Sequence, residues 1–591
     1  MTPMGSPFGS MVDLARTRAA EGAEELLYTF LEDGERPGDA LTYGEVDRMA
    51  RAVAAALQRW RLEGERALLL CPPGPDFIAA FFGCLYAGVV AVPAYPPHPA
   101  RPQRAFPRLQ AIAEDATPSV VLSSRALLRA AATIVRGVPG LGKSRWLAME
   151  DVEAGAEENW REPDVTPETL AFLQYTSGST AAPKGVMVRH GNLLSNLASM
   201  EAVQEPEAPR VGVSWLPVYH DMGLIEGVLS PLYGRYTAYL MAPTAFMQRP
   251  RRWLEAITRY RGTNSGAPNF AWDLCSRRIP RAQREGLDLR SWRTAYNGSE
   301  PIRADTLQRF AAAFRDQGFA WRAVFPVYGL AEATLVVTSD RQLDPPVLRQ
   351  VDPDALGRDR WIERAATELS QPRVSCGRPL PGVTVLIVDP DTRTVAGSDE
   401  IGEIWVSGPS VAAGYWNRPE DSEVAFGAYL ADTGAGPYLR TGDLGIMRDG
   451  RLYVTGRRKD LIIIRGSKYY PQDLELTVED AHAAVRRGCV AAFAIETPSG
   501  EAVVVAAEIE RQRRGSSRPP VATPDIAPAV RDAVARQHGI RLHALALLAP
   551  GAVPKTTSGK LRRQATRMAY LAGELVPQAA LAGLTSAPHA S

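Results

Sequence analysis

Apolar side chains along the first part of the chain recur at two spacings, one typical of helices and one typical of buried strands. Residues 41–60 repeat apolar positions every three or four residues, which predicts an amphipathic helix. Short apolar runs at 67–70, 89–94 and 119–124 predict buried strands. Helices that alternate with buried strands are typical of an α/β sheet.

The most apolar stretch, 77–92, is about 16 residues long, whereas a membrane-spanning helix needs roughly 20. It predicts a buried helix that runs into a buried strand. The proline-rich segment 94–102 ends that strand, because proline cannot donate to a strand ladder. We therefore expect no transmembrane segment.

The α/β pattern recurs from 211 to 338, which predicts a second α/β unit. From about 383 the sequence pattern changes and predicts short strands with tight turns, typical of a small, mostly β unit. Beyond 456–460 an α+β segment begins, with a predicted helix near 471–487 and a predicted strand near 503–510. The fold class is therefore α/β: two doubly wound α/β subdomains, a small β-barrel-like subdomain, and a small mobile α+β domain.

A chain of 591 residues is too long for one hydrophobic core. We expect a large N-terminal domain over residues 1–458 and a small C-terminal domain over 459–575. Residues 511–525 have the composition of a loop within the small domain. The alanine-rich tail 576–591 is expected to be disordered.

Composition narrows the function classes only slightly. With 45% hydrophobic residues, 23% charged residues and a net charge of +1, the chain is an ordinary globular protein with no sign of nucleic-acid binding. The five cysteines are scattered, without C-x-x-C pairs or zinc-ligand spacing, and fit a reducing cytoplasm. The N-terminal residues contain no readable secretory or transit signal.

Residues 137–144 match the phosphate-loop pattern G-x-x-x-x-G-K-S without a mismatch. A working loop of this kind follows a buried strand and opens a helix. Here the preceding residues look helical and the following residues look like a strand. The context is reversed, so a surface loop is the favoured interpretation.

A better candidate for phosphate binding is the segment 175–185, which reads YTSGSTAAPKG. Its small residues let backbone N–H groups converge on a phosphate, its hydroxyls add donors, and Lys184 adds positive charge. It follows an apolar run and precedes a helical one. A plain Ser/Thr/Gly turn without a ligand is the alternative.

The segment 175–185 resembles the signature of the adenylate-forming superfamily, which includes acyl-CoA synthetases, peptide-synthetase adenylation domains and luciferases. Further segments resemble its other signatures, in the expected order: YGLAE (328–332), YLRTGD (438–443), GRRKD (456–460) and PKTTSGK (554–560). The series spans nearly the whole chain, so chance is not a plausible explanation.

Within that superfamily the chain looks most like the fatty acyl-AMP ligase branch. The similarity lies in segments 94–102, 216–233, 248–275 and 460–475. The extra length at about 340–374 resembles the insertion that characterises this branch.

The resemblance implies a role for each matched residue. The ATP/AMP-binding set is Thr176, Ser177, Gly178, Ser179, Thr180, Lys184, Gly298, Ser299, Glu300, Tyr328, Gly329, Asp443 and Arg457. Within it, Tyr328 is expected to stack on adenine, the loop from Asn297 to pass the adenine edge, and Asp443 and Arg457 to contact the ribose. Glu332, with Thr176, is the expected Mg²⁺ ligand.

The expected catalytic residues are Lys560, His220 and Glu332, with Lys560 bridging the acyl carboxylate and the α-phosphate. Outside its motif context Lys560 would be a solvated charge, and an unpaired histidine such as His220 is more often structural. The chain beside the motifs suggests an acyl pocket formed by Met222, Ile225, Phe270 and Ala271, although most apolar residues are simply core.

The resemblance also implies two half-reactions, separated by rotation of the C-terminal domain about a hinge at Lys459. In this branch the insertion restrains that motion, and the acyl group passes to phosphopantetheine on an acyl carrier protein supplied in trans. The segment 555–567 holds five basic residues and no acidic ones, so it either attracts an acidic carrier or is a solvated basic face.

The expected function is therefore that of a cytoplasmic fatty acyl-AMP ligase that uses ATP and Mg²⁺. An acyl-CoA synthetase shares every matched catalytic residue and remains the nearest alternative. Two further alternatives are a nucleotide-binding protein without catalysis, against which the intact Lys560, Glu332, Asp443 and Arg457 argue, and an amino-acid adenylation domain.

Overall fold

The structure is a computed structural model that describes residues 6–97, 105–176, 183–205, 209–366, 371–498, 500–510, 525–556 and 559–575. Several sequence predictions lie outside these residues: Ser177, Gly178, Ser179 and Thr180 of the phosphate loop, the tail 576–591, most of the loop 511–525 and part of the segment 94–102.

The strands fall into mostly parallel sheets in the first part of the chain and mostly antiparallel sheets after it. In chain order they are β1 (Leu26–Glu32), β2 (Arg36–Thr42), β3 (Arg66–Leu70), β4 (Val90–Pro93), β5 (Val120–Ser123), β6 (Arg145–Ala148), β7 (Leu170–Thr176), β8 (Lys184–Arg189), β9 (Val211–Ser214), β10 (Thr237–Met241), β11 (Asn264–Ala267), β12 (Thr294–Asn297), β13 (Val324–Pro326), β14 (Tyr328–Gly329), β15 (Val336–Ser339), β16 (Leu348–Val351), β17 (Gln371–Val374), β18 (Arg378–Pro379), β19 (Thr384–Val388), β20 (Gly402–Ser407), β21 (Leu439–Arg448), β22 (Arg451–Arg457), β23 (Ile462–Ile464), β24 (Ser467–Tyr469), β25 (Val485–Thr497), β26 (Gly500–Ile509) and β27 (Ala544–Leu548).

The helices connect and cover these sheets. They are α1 (Met11–Gly22), α2 (Tyr43–Arg59), α3 (Pro75–Tyr86), α4 (Phe106–Ala116), α5 (Arg125–Arg129), α6 (Ala131–Gly137), α7 (His190–Glu201), α8 (Ser230–Gly234), α9 (Pro243–Gln248), α10 (Arg251–Tyr260), α11 (Asn269–Arg278), α12 (Ala304–Ala313), α13 (Pro353–Leu356), α14 (Pro419–Phe426), α15 (Pro471–Ala481), α16 (Ile526–His538) and α17 (Arg563–Leu571). A π-helical segment, Met222–Leu229, precedes α8.

The first sheet has the strand order β6-β5-β3-β4-β7-β8, parallel except for the antiparallel pair β7 and β8. Its helices and strands confirm the pattern in the sequence. Helix α2 begins with a capping box between Thr42 and Glu45, which satisfies two backbone N–H groups of the first turn. Helix α3 is buried from Phe77 to Tyr86, as expected for the apolar run that leads into β4.

The second sheet has the order β13-β12-β11-β9-β10-β1-β2, parallel except for β1 with β2. The predicted second α/β unit is confirmed. The sequence did not reveal that β1 and β2, at the start of the chain, complete this sheet by pairing with β10. Local periodicity cannot identify such a distant partner.

Two antiparallel sheets, β14-β15-β18 and β19-β20-β21-β22, share one hydrophobic core that contains Val337, Val385 and Ile404. This is the small β unit expected from about residue 383. The predicted insertion contributes the hairpin of β16 and β17 together with α13.

The C-terminal segment forms the sheet β25-β26-β27, covered by α15 and α16. The predicted helix near 471–487 ends instead at Ala481, and β25 begins at Val485. Pairing of β25 with β26 determines this boundary, because Val490 to Thr497 each face a partner on β26. The sequence prediction missed β25.

Ion pairs join the C-terminal segment to the rest of the chain. Arg373 of the insertion makes a two-fold ion pair with Asp473 of α15. Lys468 bonds through its side chain to Asp359 and through its backbone N–H to the Gly357 carbonyl, 3.0 Å away. The insertion therefore packs against the C-terminal segment, as the resemblance implied. Lys459, the predicted hinge, is exposed in the turn Arg458–Asp460 after β22.

The phosphate-loop pattern at 137–144 follows helix α6 and precedes strand β6, so the predicted reversal of context is confirmed. The Ser144 hydroxyl donates to the Pro118 carbonyl at 2.7 Å, which ties this loop to its own subdomain. Within the described ranges, none of the helices is both long and apolar enough to cross a lipid bilayer.

Candidate active site

The phosphate-binding loop connects two antiparallel strands. Thr176, at the end of β7, is paired with Lys184, at the start of β8. The helical run predicted after this segment, 192–200, lies within α7, and β8 stands between the segment and that helix. The described residues on either side of 177–182 are therefore paired strands, and a helix N-terminus does not directly follow them.

Lys184 is held by an acidic and an aromatic partner. Its ammonium group lies 2.9 Å from a carboxylate oxygen of Asp421 and 4.8 Å from the ring centre of Tyr415. The hydrogen bond from Lys184 lowers the pKa of Asp421. Strand β8 and the segment 413–416 exchange backbone hydrogen bonds, which brings Tyr415 to this position.

Glu332 lies next to the same tyrosine. The Tyr415 hydroxyl donates to Glu332 Oε1 at 2.8 Å, which leaves the second carboxylate oxygen without this bond. Burial raises the pKa of Glu332, although the Tyr415 hydrogen bond opposes that shift. Tyr415 therefore connects Lys184 with the predicted metal ligand.

The predicted adenosine residues form a second group. Asp443 is buried, and it accepts from the Tyr328 hydroxyl at 2.9 Å and from Arg457 Nε at 3.0 Å. Register places Asp443 of β21 directly opposite Arg457 of β22. Attraction to Asp443 raises the pKa of Arg457, while burial raises the pKa of Tyr328.

The loop after β12 contributes Gly298, Ser299 and Glu300. Ser299 has a φ of 69°, and its hydroxyl lies 3.5 Å from the Met222 sulfur. Glu300 accepts the backbone N–H of Phe270 at 2.5 Å. Gly329 is required by packing, because a Cβ there would lie 1.7 Å from the Leu335 carbonyl oxygen.

Lys560, in the C-terminal segment, lies next to His220. Its Nζ lies 3.4 Å from Nε2 of His220, and Nδ1 of His220 pairs with Asp221. Asp221 also accepts the backbone N–H of Met222 at 2.6 Å. The structure therefore brings Lys560, His220 and Asp221 together, although 340 residues separate the lysine from the histidine.

Groups of both charge signs meet at this centre. Burial lowers the pKa of Lys560, and the nearby Asp221 and Glu300 oppose that shift. Burial would raise the pKa of Asp221, but His220 and Lys560 outweigh it and hold the pKa below its ordinary value. Burial raises the pKa of Glu300.

Two contacts hold the Lys560 loop in place. Gly559, with a φ of 87°, lies so close to Phe270 that a Cβ would be 2.9 Å from the ring. Arg563, just beyond the lysine, pairs with the buried Glu475 at 2.6 Å. Phe270, predicted to line the acyl pocket, therefore supports the lysine loop.

A cavity of about 810 Å³, a volume that includes solvent at its opening, lies beside this centre. Asp221, Met222, Gly298 and Ser299 line the part nearest His220. Of the four residues predicted for the acyl pocket, only Met222 is in its lining. Ile225 and Ala271 are fully buried core residues, and their side chains face packing partners instead of the cavity.

Within the described ranges, no group of three or more His, Cys, Asp or Glu side chains could hold a metal ion. Glu332 alone still fits Mg²⁺, which commonly takes one or two protein carboxylates and completes its shell with phosphate oxygens and water. The arrangement can therefore hold a magnesium-bound nucleotide phosphate beside a buried lysine.

A family model described as AMP-binding enzyme matches residues 16–416. The chain belongs to the AMP-binding enzyme family. A second model, described as Disco-interacting protein 2-like, AMP domain, matches residues 459–580. The two models together include Lys184, Glu332 and Lys560, whereas Asp443 and Arg457 lie between the two matched ranges.

Individual relatives of this family resemble the chain over almost its full length. The medium-chain-fatty-acid–[acyl-carrier-protein] ligase JamA of Moorena producens is 42% identical over 96% of each chain. The long-chain-fatty-acid–AMP ligase FadD32 of Mycolicibacterium smegmatis is 38% identical, covering 93% of this chain and 92% of its own. The fatty acyl-adenylate ligase of Legionella pneumophila, solved with acyl adenylate and pyrophosphate, is 39% identical with a TM-score of 0.74 over 96% of each chain.

Sequence reasoning missed three residues of the site. Tyr415 and Asp421 stand outside the recognised motifs, and only the backbone pairing of β8 brings them to Lys184. Glu226 lines the cavity, and its signal was a single carboxylate within the apolar run 222–229.

Proposed function

We propose that this protein is a fatty acyl-AMP ligase that passes its acyl group to an acyl carrier protein. In the first half-reaction a fatty-acid carboxylate oxygen bonds to the α-phosphorus of ATP, and pyrophosphate leaves. In the second, the phosphopantetheine thiol of the carrier attacks the acyl carbonyl, giving a thioester, AMP and a proton. The observation that carries the proposal is the position of Lys560 beside His220, whose neighbours Asp221 and Met222 line a cavity.

The first half-reaction brings two anions together, so the site must neutralise charge where they meet. We infer that Lys560 does this for the carboxylate and the α-phosphate. Its loop is anchored by contacts to Phe270 and Glu475, which supports a fixed position. His220, oriented by Asp221, is placed to shape the carboxylate site.

The nucleotide is proposed to lie between the remaining groups. Asp443 has the carboxylate expected for the ribose hydroxyls, and Tyr328 and Arg457 fix its orientation. Lys184 lies at the base of the phosphate loop. Glu332 would hold Mg²⁺, which supplies charge neutralisation at the phosphates when bound.

The contacts of the insertion support a C-terminal segment whose motion is restrained, the feature that the resemblance associates with carrier-protein transfer. Arg373 pairs with Asp473, and Asp359 pairs with Lys468, so the insertion holds the C-terminal segment at two points. Both pairs are at least half-buried, where losing one partner is costly. Rotation about the proposed hinge at Lys459, between domains 1–458 and 459–575, must break these contacts.

The relatives support the same assignment, since two are named for fatty-acid adenylation or acyl-carrier-protein ligation. We also propose a cytoplasmic location. The five cysteines are free thiols and buried, which agrees with a reducing compartment.

The test is a product assay on purified protein with ATP, Mg²⁺ and a series of fatty acids. Parallel reactions contain no acceptor, free CoA, a holo-carrier protein, or the same carrier without phosphopantetheine. Acyl-AMP, acyl-CoA and acyl-carrier are then measured by mass.

The proposal expects acyl-AMP without an acceptor, acyl transfer to the holo-carrier only, and little acyl-CoA. Efficient acyl-CoA formation would replace it with an acyl-CoA synthetase. Absence of acyl-AMP with every acid would contradict the adenylation step itself.

A further inference from the structure

The wall of the cavity is mainly apolar, but it also carries several polar side chains. Beyond Met222 the lining includes a series of side chains with hydrogen-bonding groups: Glu226, Ser230, Tyr236, Asn264, Thr294 and Tyr296. Burying a polar group without a hydrogen-bond partner costs free energy. The question is which of these groups already have partners.

Most of the polar wall is internally satisfied. The Tyr236 hydroxyl bonds to Ser230 at 3.1 Å, and Gln204 accepts from Asn264 and Thr294 at 3.2 Å each. These groups are therefore part of the scaffold and need no ligand.

The nearby charges are also paired. Arg210 makes two hydrogen bonds to Glu201, both 2.6 Å long, and a third to the Gly234 carbonyl at 3.0 Å. A guanidinium with these partners is not available to bind a carboxylate at the far end of a substrate. A dicarboxylic acid would therefore lack a counter-charge from Arg210.

Glu226 differs from its neighbours. Its side chain is 8% exposed and lines the cavity, and its Oε2 has no hydrogen-bond partner among the described residues. It lies on the π-helical segment Met222–Leu229, four residues after Met222. Burial raises the pKa of Glu226 well above its ordinary value, which favours the protonated carboxyl, and that form can both donate and accept.

Tyr296 provides a second group of the same kind. It is 7% exposed and lines the cavity, and its hydroxyl has no partner within the described ranges. Its ring lies over Gly266 of the neighbouring strand, where a Cβ would be 1.9 Å from the ring. The glycine therefore creates the space that this tyrosine occupies.

We propose that the preferred substrate is a fatty acid with a hydroxyl group on its chain, bound through Glu226 and assisted by Tyr296. A hydroxyl matches a neutral carboxyl because each can donate and accept one hydrogen bond. An ammonium group would require Glu226 to ionise in a buried site, where an ion pair is costly to form. The inference rests on the proposed adenylation function and specifies its substrate class.

The test compares adenylation of matched acids by the intact protein. For octanoic, dodecanoic and hexadecanoic acid, the kcat/KM for acyl-AMP formation is measured with the plain acid and with hydroxyl groups near the carboxylate, at mid-chain and at the end. Amino-substituted acids of the same lengths form a third arm. We expect one hydroxy acid to exceed its plain counterpart by about tenfold or more, the effect of a hydrogen bond in a dry site.

Variants connect this preference to the cavity. Glu226→Leu should remove the preference or reverse it, whereas Glu226→Gln should keep part of it. Tyr296→Phe should reduce it by a smaller factor. The matched control is Tyr43→Phe, which removes another buried hydroxyl without a described partner, outside the cavity lining, and should leave the preference as in the unaltered protein.

The proposal is overturned if the unaltered protein favours the plain or the amino-substituted fatty acid over the hydroxy acid at every position of the substituent. It is also overturned if neither Glu226→Leu nor Tyr296→Phe changes the ratio between hydroxy and plain acids. Turnover of the plain acid by Glu226→Leu shows that the variant is folded. Failure to adenylate any acid would instead refute the proposed function, so the two failures are distinguishable.

Discussion

Replacing Lys560 with alanine removes a partly buried ammonium group that lies 3.4 Å from the imidazole of His220, next to the cavity-lining Asp221. Two unit charges about 4 Å apart at an effective dielectric constant of about 20 interact with roughly 4 kcal/mol. If Lys560 neutralises the meeting carboxylate and α-phosphate, its loss should slow adenylation by about a thousandfold. Binding of ATP alone should change far less.

The two half-reactions are measured separately. Fatty-acid-dependent exchange of pyrophosphate into ATP reports adenylation, and transfer from synthetic acyl-AMP to a holo-carrier reports thioester formation. We expect Lys560→Ala to lose the first activity and to keep most of the second. Different groups serve the two half-reactions in the proposed mechanism.

The matched control is Lys143→Ala. Lys143 is an exposed lysine in the phosphate-loop pattern at 137–144, and its removal should leave both activities intact. Adenylation by Lys560→Ala within tenfold of the unaltered enzyme would refute the charge argument. An equal loss of both half-reactions would refute the assignment to adenylation alone.

Three further predictions concern the nucleotide, pH and the insertion. Asp443→Ala should raise the KM for ATP by about ten- to a hundredfold, because it removes a charged hydrogen-bond acceptor. The KM for the fatty acid should stay nearly constant in the same steady-state assays. Burial lowers the pKa of Lys560, so the adenylation rate should fall as pH rises through that lowered pKa. In a pH–rate profile, Lys560→Arg should move this loss of rate to higher pH. A profile that does not move would exclude the lysine as the origin of the loss. Arg373→Met leaves Asp473 without its ion-pair partner and should weaken docking of the C-terminal segment by about 3 kcal/mol. Faster hydrogen exchange in α15 and increased acyl-CoA formation would show this weakening. The control is Arg349→Met, because Arg349 lies opposite Arg373 on the same hairpin but pairs with Glu363 and Asp449. This variant should change neither measurement.

The resemblance of the motifs predicted residues that the fold brings together. Lys560 meets His220, and Asp443 faces Arg457 across a strand pair. The acyl pocket stays a prediction, and of its four residues only Met222 lines the described cavity. Neighbours of motif residues in sequence, such as Ile225 and Ala271, point into the core because side-chain direction depends on the local helix and on packing.

Local patterns by themselves determined the elements with strong periodicity. Helix α2 and strands β3, β4 and β5 follow directly from the spacing of apolar residues, because the buried side chains of each element recur at regular intervals along the sequence. Where partners are distant, the sequence alone was insufficient. Pairing with the distant β10 fixed the position of β1, and pairing with the consecutive strands β7 and β26 fixed β8 and β25. Backbone hydrogen bonds between β8 and the distant segment 413–416 brought Tyr415 to Lys184. The candidate role of Glu226 depends on the cavity around it. The sequence shows only a carboxyl within an apolar run, and it reveals neither that this carboxyl is buried nor that its Oε2 lacks a described hydrogen-bond partner.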